Sequence, residues 1–279
     1  MSLINRILQA VVCLSFLLLV FAMSLVGTFS SNQRLTQVLA GSGFYNTAAK
    51  SLSSLLISQL SGNEAIVGLA KNGIGQAVTP EVVKSTLQPS QISILEWLNS
   101  PNGPIALQLD LVQLRSKALS GIDDPRAKFE ITKIIPDSIS LIAPDSEDKT
   151  LLDRLQYAKL IYTTASQAIP FLWVTISISI LSLVIVNIRK GSRKITSPAY
   201  SLAFGSIIGL VMAFSANLLS ANNLLISSDP SRLMDPLALG RVIVFLLSQT
   251  LPVFIAVGLA SVLAIIIAKV VFRASDRAL

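Results

Sequence analysis

Four long apolar runs constrain this chain more than any other feature. They cover residues 8–27, 169–188, 199–219 and 242–272. A bilayer core about 30 Å thick needs roughly 20 apolar residues in helical form. Charged residues make up only 13% of the chain, against roughly a quarter in an ordinary soluble domain. The expected fold is therefore an all-α integral membrane protein with four transmembrane helices. About 140 residues of mixed composition separate the first two runs, enough for one small domain.

The charge pattern orients these segments. Between the second and third runs lies the polar break Arg189-Lys190-Gly191-Ser192-Arg193-Lys194. The formal net charge is +7, yet residues 28–167 hold 12 basic and 12 acidic side chains. The excess sits on Arg6, on the four cations of the break and on the stretch from Lys269 onward. Basic residues collect in loops that remain cytoplasmic. The expected order is a cytoplasmic N-terminus and first helix over 1–27, then an extracytoplasmic domain over 28–167. The second helix covers 168–188 and a basic cytoplasmic loop 189–198. A third helix over 199–220, an outer loop over 221–241, a fourth helix over 242–272 and a cytoplasmic tail over 273–279 complete the scheme. This distribution argues against a nucleic-acid partner. Arg189, Lys190, Arg193 and Lys194 read as topology markers that face lipid headgroups.

The first apolar run is longer than the 7–15 residues of a signal-peptide core, and Ala22-Met23-Ser24 matches a cleavage site poorly. It reads as a retained signal-anchor. Cys13, the single cysteine, lies within it, preceded by Val12 rather than the small residue a lipidated cysteine would follow. No intrachain disulfide can form.

In the domain, Phe44, Ala48, Leu52, Leu55, Leu56 and Leu60 recur at helical spacing, and a weaker helical pattern covers 64–78. Thr79-Pro80-Glu81 reads as a helix start. Pro89-Ser90 reads as the start of another, ended by Pro101-Asn102-Gly103-Pro104. Ile105, Leu107, Leu109 and Leu111 then alternate with Ala106, Gln108 and Asp110, a strand pattern. Phe129, Ile131 and Lys133, followed by Ile134-Ile135, suggest a second strand ending at Pro136, joined to the first through a helical patch at 111–119. The expected domain is mostly helical with a two-stranded β ribbon. Asp145-Ser146-Glu147-Asp148 reads as an acidic helix start that leads almost directly into the second apolar run.

Small residues mark two of the expected transmembrane helices. Ser201, Gly205, Gly209 and Ala213 recur every four residues, as do Ala256, Ala260, Ala264 and Ala268. Such stripes let helices approach closely in lipid, and the two helices are expected to pack on each other. A homodimer contact is the second reading. Pro252, after Ser248-Gln249-Thr250, is expected to kink the fourth run.

Chemical signatures are sparse. The chain has no histidine, which removes Ser-His-Asp and Cys-His catalysis and any His-based metal cluster. Ser146-Glu147-Asp148-Lys149 has Ser-x-x-Lys spacing without the partner motifs, and a helix N-terminus accounts for its serine. Gly73-Ile74-Gly75 reads as a turn rather than a phosphate loop. Asp123, Asp124 and Glu130 read as solvated carboxylates rather than calcium ligands. Within the apolar runs no Asp, Glu, Lys or Arg occurs until Lys269 near the inner end, and Asn217 and Gln249 are the most polar mid-segment residues. No catalytic residue, metal or cofactor is expected.

Pro80-Glu81, Glu96-Trp97-Leu98, Leu109-Asp110-Leu111 and Ile135-Pro136-Asp137-Ser138-Ile139-Ser140-Leu141, in that order, carry a resemblance over residues 35–165. The chain resembles a group of uncharacterised bacterial four-span membrane proteins with a large extracytoplasmic domain between the first two spans. By topology it is also similar to type VII ABC transporter permeases, although its N-terminus and its inner loop are shorter. The leading expectation is a non-enzymatic membrane protein whose exported domain binds an envelope component or another copy of itself, or acts as a structural or assembly partner in the envelope. A transport component such as a permease subunit is the alternative.

Overall fold

A computed structural model describes residues 3–60, 64–100, 105, 107–142, 149–189, 191–221 and 236–277. Four of its helical segments are long and apolar enough to cross a membrane: Leu3–Thr28, Leu155–Val186, Arg193–Leu218 and Gly240–Phe272. The chain divides into two compact units. One holds Met1–Gly27, Ile161–Asn222 and Val244–Leu279; the other holds Thr28–Leu160 and Asn223–Ile243.

The first unit is built from α1 (Leu3–Thr28), the later part of α8 (Lys149–Val186), α9 (Arg193–Ala221) and α11 (Leu251–Arg277), together with the end of α10 (Pro236–Gln249). Its core joins Phe16, Leu19 and Val20 of α1 to Ile176 of α8 and Phe254 of α11. The Phe254 ring meets Phe16 and Phe21 edge-on, with centroids 5.8 and 6.0 Å apart. Large apolar side chains such as Phe171, Leu181, Phe204 and Leu259 point outward. The four-helix unit thus presents an apolar exterior.

The expected long fourth segment is two helices. Helix α10 ends at Gln249 and α11 begins at Leu251, just before Pro252. Side chains cover three successive carbonyls ahead of the break. Ser248 donates to Phe245 O (2.7 Å), Ser24 of α1 to Leu246 O (3.4 Å) and Thr250 to Leu247 O (2.6 Å).

The second unit contains α2 (Asn32–Gly41), α3 (Phe44–Ser58), α4 (Glu64–Ala77), α5 (Pro80–Asn99), β1 (Leu107–Asp110), α6 (Val112–Ser120), α7 (Pro125–Ile134) and β2 (Ser138–Ile142). Leu52 and Leu56 of α3, Ile74 of α4, Val82 and Val83 of α5, Leu114 of α6 and Ile131 of α7 share one buried core. Thr79 caps α5 by accepting from Val82 N, with Pro80 in the first turn. Helix α2 is absent from the sequence reading; Ser31 caps it by accepting from Arg34 N.

Three local expectations are corrected. The segment at 129–134 is helical with Ile135 as its C-cap, and the second strand lies later, at Ser138–Ile142. Asp124 accepts from Arg126 N and Ala127 N, and Pro125 fixes the first turn. Ala127, Ile131 and Ile135 are buried at four-residue spacing while Phe129 is 68% exposed, so the helical period overrides an accidental alternation. Strand β2 pairs antiparallel with β1, Leu109 opposite Ile139 and Asp110 opposite Ser138. Leu111 N donates to Asp137 O at 2.9 Å and Arg115 pairs with Asp137, extending the junction.

The second correction concerns Pro89, which lies inside one continuous α5. Contacts on both sides hold this helix in place: Ser85 donates to Gln113 (2.9 Å), Ser90 to Gln108 O (2.6 Å) and Gln91 to the Tyr45 hydroxyl (2.8 Å). The third concerns Gly73-Ile74-Gly75, which lies in α4. A Cβ on Gly73 would fall 2.7 Å from Ala118 O, so this glycine allows α4 to approach α6 closely.

Helix α8 runs 38 residues through Pro170 without interruption. In its first half, Lys159 lies over the Trp97 ring at 4.7 Å and donates to Ser100 O, tying α8 to the end of α5. The expected acidic start at 145–148, with its Ser-x-x-Lys match, lies outside the described residues. So do the turn at 101–104 and the loop at 222–235.

Candidate functional site

The basic break forms the turn between α8 and α9. Gly191 adopts φ 55°, the left-handed backbone that lets the chain reverse within a few residues. Arg189 and Arg193 are exposed, and Lys194 is half-buried with its ammonium 5.2 Å from the Phe272 ring centroid. Lys190 lies outside the described residues. Lys269 approaches Tyr200 at 6.0 Å.

Beneath this turn lies a buried polar cluster that the sequence reading does not anticipate. Asn187 donates from Nδ2 to Asn5 Oδ1 and to Leu183 O, both at 2.8 Å. Ser197 donates to Asn5 Oδ1 at 3.3 Å and accepts from Gln9 Nε2 at 3.0 Å. Ser201 donates to Ser197 O at 3.1 Å. Asn5, Asn187, Ser197 and Ser201 are each at most 4% exposed. The cluster joins α1, the end of α8 and the start of α9. By contrast, Asn217 and Gln249 are exposed. The available signal was polar residues at the margins of apolar runs, where Asn5 and Asn187 lie.

The small-residue stripes occupy unequal positions. Ser201, Gly205, Gly209 and Ala213 of α9 are all buried. Helices α9 and α11 pack together. A Cβ on Gly209 would clash with the Phe254 ring, 2.5 Å from Cδ1, whereas Gly205 faces Phe16 and Cys13 of α1. On α11, Ala268 is buried, Ala264 half-buried, and Ala260 and Ala256 exposed. The buried line of α11 runs instead through Phe254, Ser261, Ile265 and Ala268, with Gly258 against Ser206. Ile180, Pro198, Leu202, Val257, Ala260 and Ala264 border an apolar cleft of about 330 Å³.

The second unit carries a different concavity of about 640 Å³. Asn46, Lys50, Ser53 and Ser54 supply a polar face of α3, opposed by Gly75, Val78 and Pro80. Near its rim, Arg241 donates to Thr47 Oγ1 at 3.0 Å. Beyond Pro80, Glu81 has its carboxyl held below the usual range by its own backbone N–H and by the Thr79 hydroxyl. The groove can present a cation, an amide and hydroxyls to a polar ligand. The chain matches no protein family, no curated protein and no solved structure. Among the described residues, no group of three or more Asp, Glu, Cys or His side chains is placed to hold a metal ion.

Proposed function

We propose that the chain is a non-enzymatic multi-pass protein of the bacterial cytoplasmic membrane whose exported domain binds an envelope component. Both termini and the 189–194 turn face the cytoplasm, and the unit around residues 28–160 lies in the envelope. The observation that carries this reading is the insertion of a charge-balanced domain with its own core between helices of membrane-crossing length. The basic excess at Arg6, at the α8–α9 turn and after Lys269 supports the orientation. The α3 groove is the domain's candidate binding surface.

Cysteine labelling in intact cells tests the orientation. Ser116→Cys on α6 reacts with a membrane-impermeant maleimide from outside, while Ser192→Cys reacts only after permeabilisation; labelling of both from one side would sink the scheme. Buried Cys13 stays silent. A photo-crosslinking residue at Ser53, facing the groove, captures an envelope component that the same residue at Ser116 does not. Equal capture at the two positions removes the groove from the proposal.

The uninterrupted α8 favours a second reading, a transport component similar in plan to type VII permeases. A helix without a break can carry displacement between the domain and the membrane. This reading requires a cytoplasmic ATPase that copurifies with the chain and is lost on charge reversal at Arg189, Arg193 and Lys194.

A further inference from the structure

We propose that the cleft bordered by α8, α9 and α11 receives an acyl chain of an anionic phospholipid whose headgroup is held by the cations of the α8–α9 turn. The inference rests on the membrane reading above and gives that turn a defined ligand.

The cleft supplies the apolar half of the site. It is about 330 Å³, walled by Ile180, Pro198, Leu202 and Val257, with the small side chains of Ala260 and Ala264 leaving room on the α11 side. From Val257 to Ala264 it follows about 10 Å of helix, a length suited to part of an extended hydrocarbon chain. Its walls offer almost no polar surface, so a polar solute has little to bond there.

The cationic half lies at one end of the cleft. Pro198 follows Lys194 by one helical turn, about 6 Å along the axis. Lys194 is steadied over Phe272, while Arg189 and Arg193 are exposed beside it. The sequence carries no acidic residue between Asp153 and Asp229, and the segments of the first unit contain only one, Asp276. The turn therefore presents positive charge with no carboxylate in α9 and none in α8 after Asp153 to neutralise it. A basic pocket between transmembrane helices suits a phosphate-bearing headgroup. The adjoining apolar cleft selects a lipid over soluble phosphate.

Competition binding to the purified full-length protein tests this, with phosphatidylglycerol and phosphatidylcholine offered in mixed micelles. We expect phosphatidylglycerol to bind on the order of 10-fold more tightly or better, given about 1 kcal/mol per basic residue near a membrane surface. The charge-neutralising variant R189Q/R193Q/K194Q abolishes the preference. Ala260→Leu fills the cleft from an exposed position and lowers phosphatidylglycerol binding while leaving the cations intact. Inorganic phosphate does not displace the lipid. Equal affinity for the two lipids, full affinity in Ala260→Leu, or displacement by phosphate would each overturn the proposal. Extraction of cell membranes with alkaline carbonate separates this failure from that of the membrane reading: a protein released by carbonate refutes the latter, whereas a retained protein without lipid preference refutes the site alone.

Discussion

Gly209 shows what a single missing side chain achieves in the bundle. Its Cα faces the Phe254 ring, which is fully buried and also meets Phe16 and Phe21. Gly209→Leu is expected to lower the thermal unfolding midpoint in detergent, at a cost of about 1–3 kcal/mol from overpacking. Phe254→Ala, damaging alone, should recover part of that loss when combined with it, giving a less-than-additive cycle. Additive losses would show that the two side chains do not compete for one space. The α9 stripe was legible as a set of small residues and so was the pairing of its helix with α11, but the contact of Gly205 with α1 was not. Positions four apart advance about 40° around a helix at each step, so a four-residue stripe sweeps across neighbours. On α9 it passes from α1 at Gly205 to α11 at Gly209 and remains buried. On α11 the same sweep carries Ala256 and Ala260 out to the surface.

At the scale of elements, caps were more legible than alternation. Thr79-Pro80 starts a helix as its sequence suggests, because a side-chain oxygen accepts a free N–H and proline fixes the opening turn; Asp124-Pro125 does the same for α7, although Asp124 reads in the sequence only as a solvated carboxylate. The 129–135 segment alternates for a few residues, yet Ala127, Ile131 and Ile135 give it a buried helical face. Asp124→Ala is expected to cost about 1 kcal/mol and to weaken α7 without converting it to a strand. Chemical denaturation with circular dichroism checks both points; a gain of strand signal would contradict the assignment. Pro89 misleads as punctuation because it is exposed and the tertiary bonds of Ser85, Ser90 and Gln91 hold α5 on either side of it. The buried Asn5–Asn187–Ser197 cluster was not legible either, since its members are separated by up to 192 residues and only the fold brings them together.

For the whole molecule, composition and run length conveyed the division into an apolar bundle and a mixed domain, while residue patterns conveyed less about how each core closes. Each unit has its own apolar core, so damage should remain local. Gly73→Val, which crowds the Ala118 carbonyl and Ile122, is expected to destabilise the domain by about 1–3 kcal/mol and expose its cleavage sites to protease. Bundle fragments should retain their protection. Gly209→Leu should show the opposite pattern, and simultaneous loss of both protected sets in either variant would refute independent cores.

The break at Thr250 limits which residues the surrounding positions can accept. At this interruption Thr250 N donates to Leu247 O at 3.1 Å, and the hydroxyls of Ser248, Ser24 and Thr250 add donors to the carbonyls of Phe245, Leu246 and Leu247; on the membrane reading proposed above, no water would be at hand to replace them. Many positions of an apolar run can exchange leucine for valine or phenylalanine at small cost. Ser24, Ser248 and Thr250 are expected to be less free: a substitution library selected for folded, membrane-retained protein should keep Ser or Thr at these positions and deplete the aliphatic residues that surround them, and equal recovery of aliphatic residues would contradict the role of the three hydroxyls. Ser24 lies more than 200 residues before its carbonyl acceptor, so this restriction links two distant stretches of the gene through one interrupted helix.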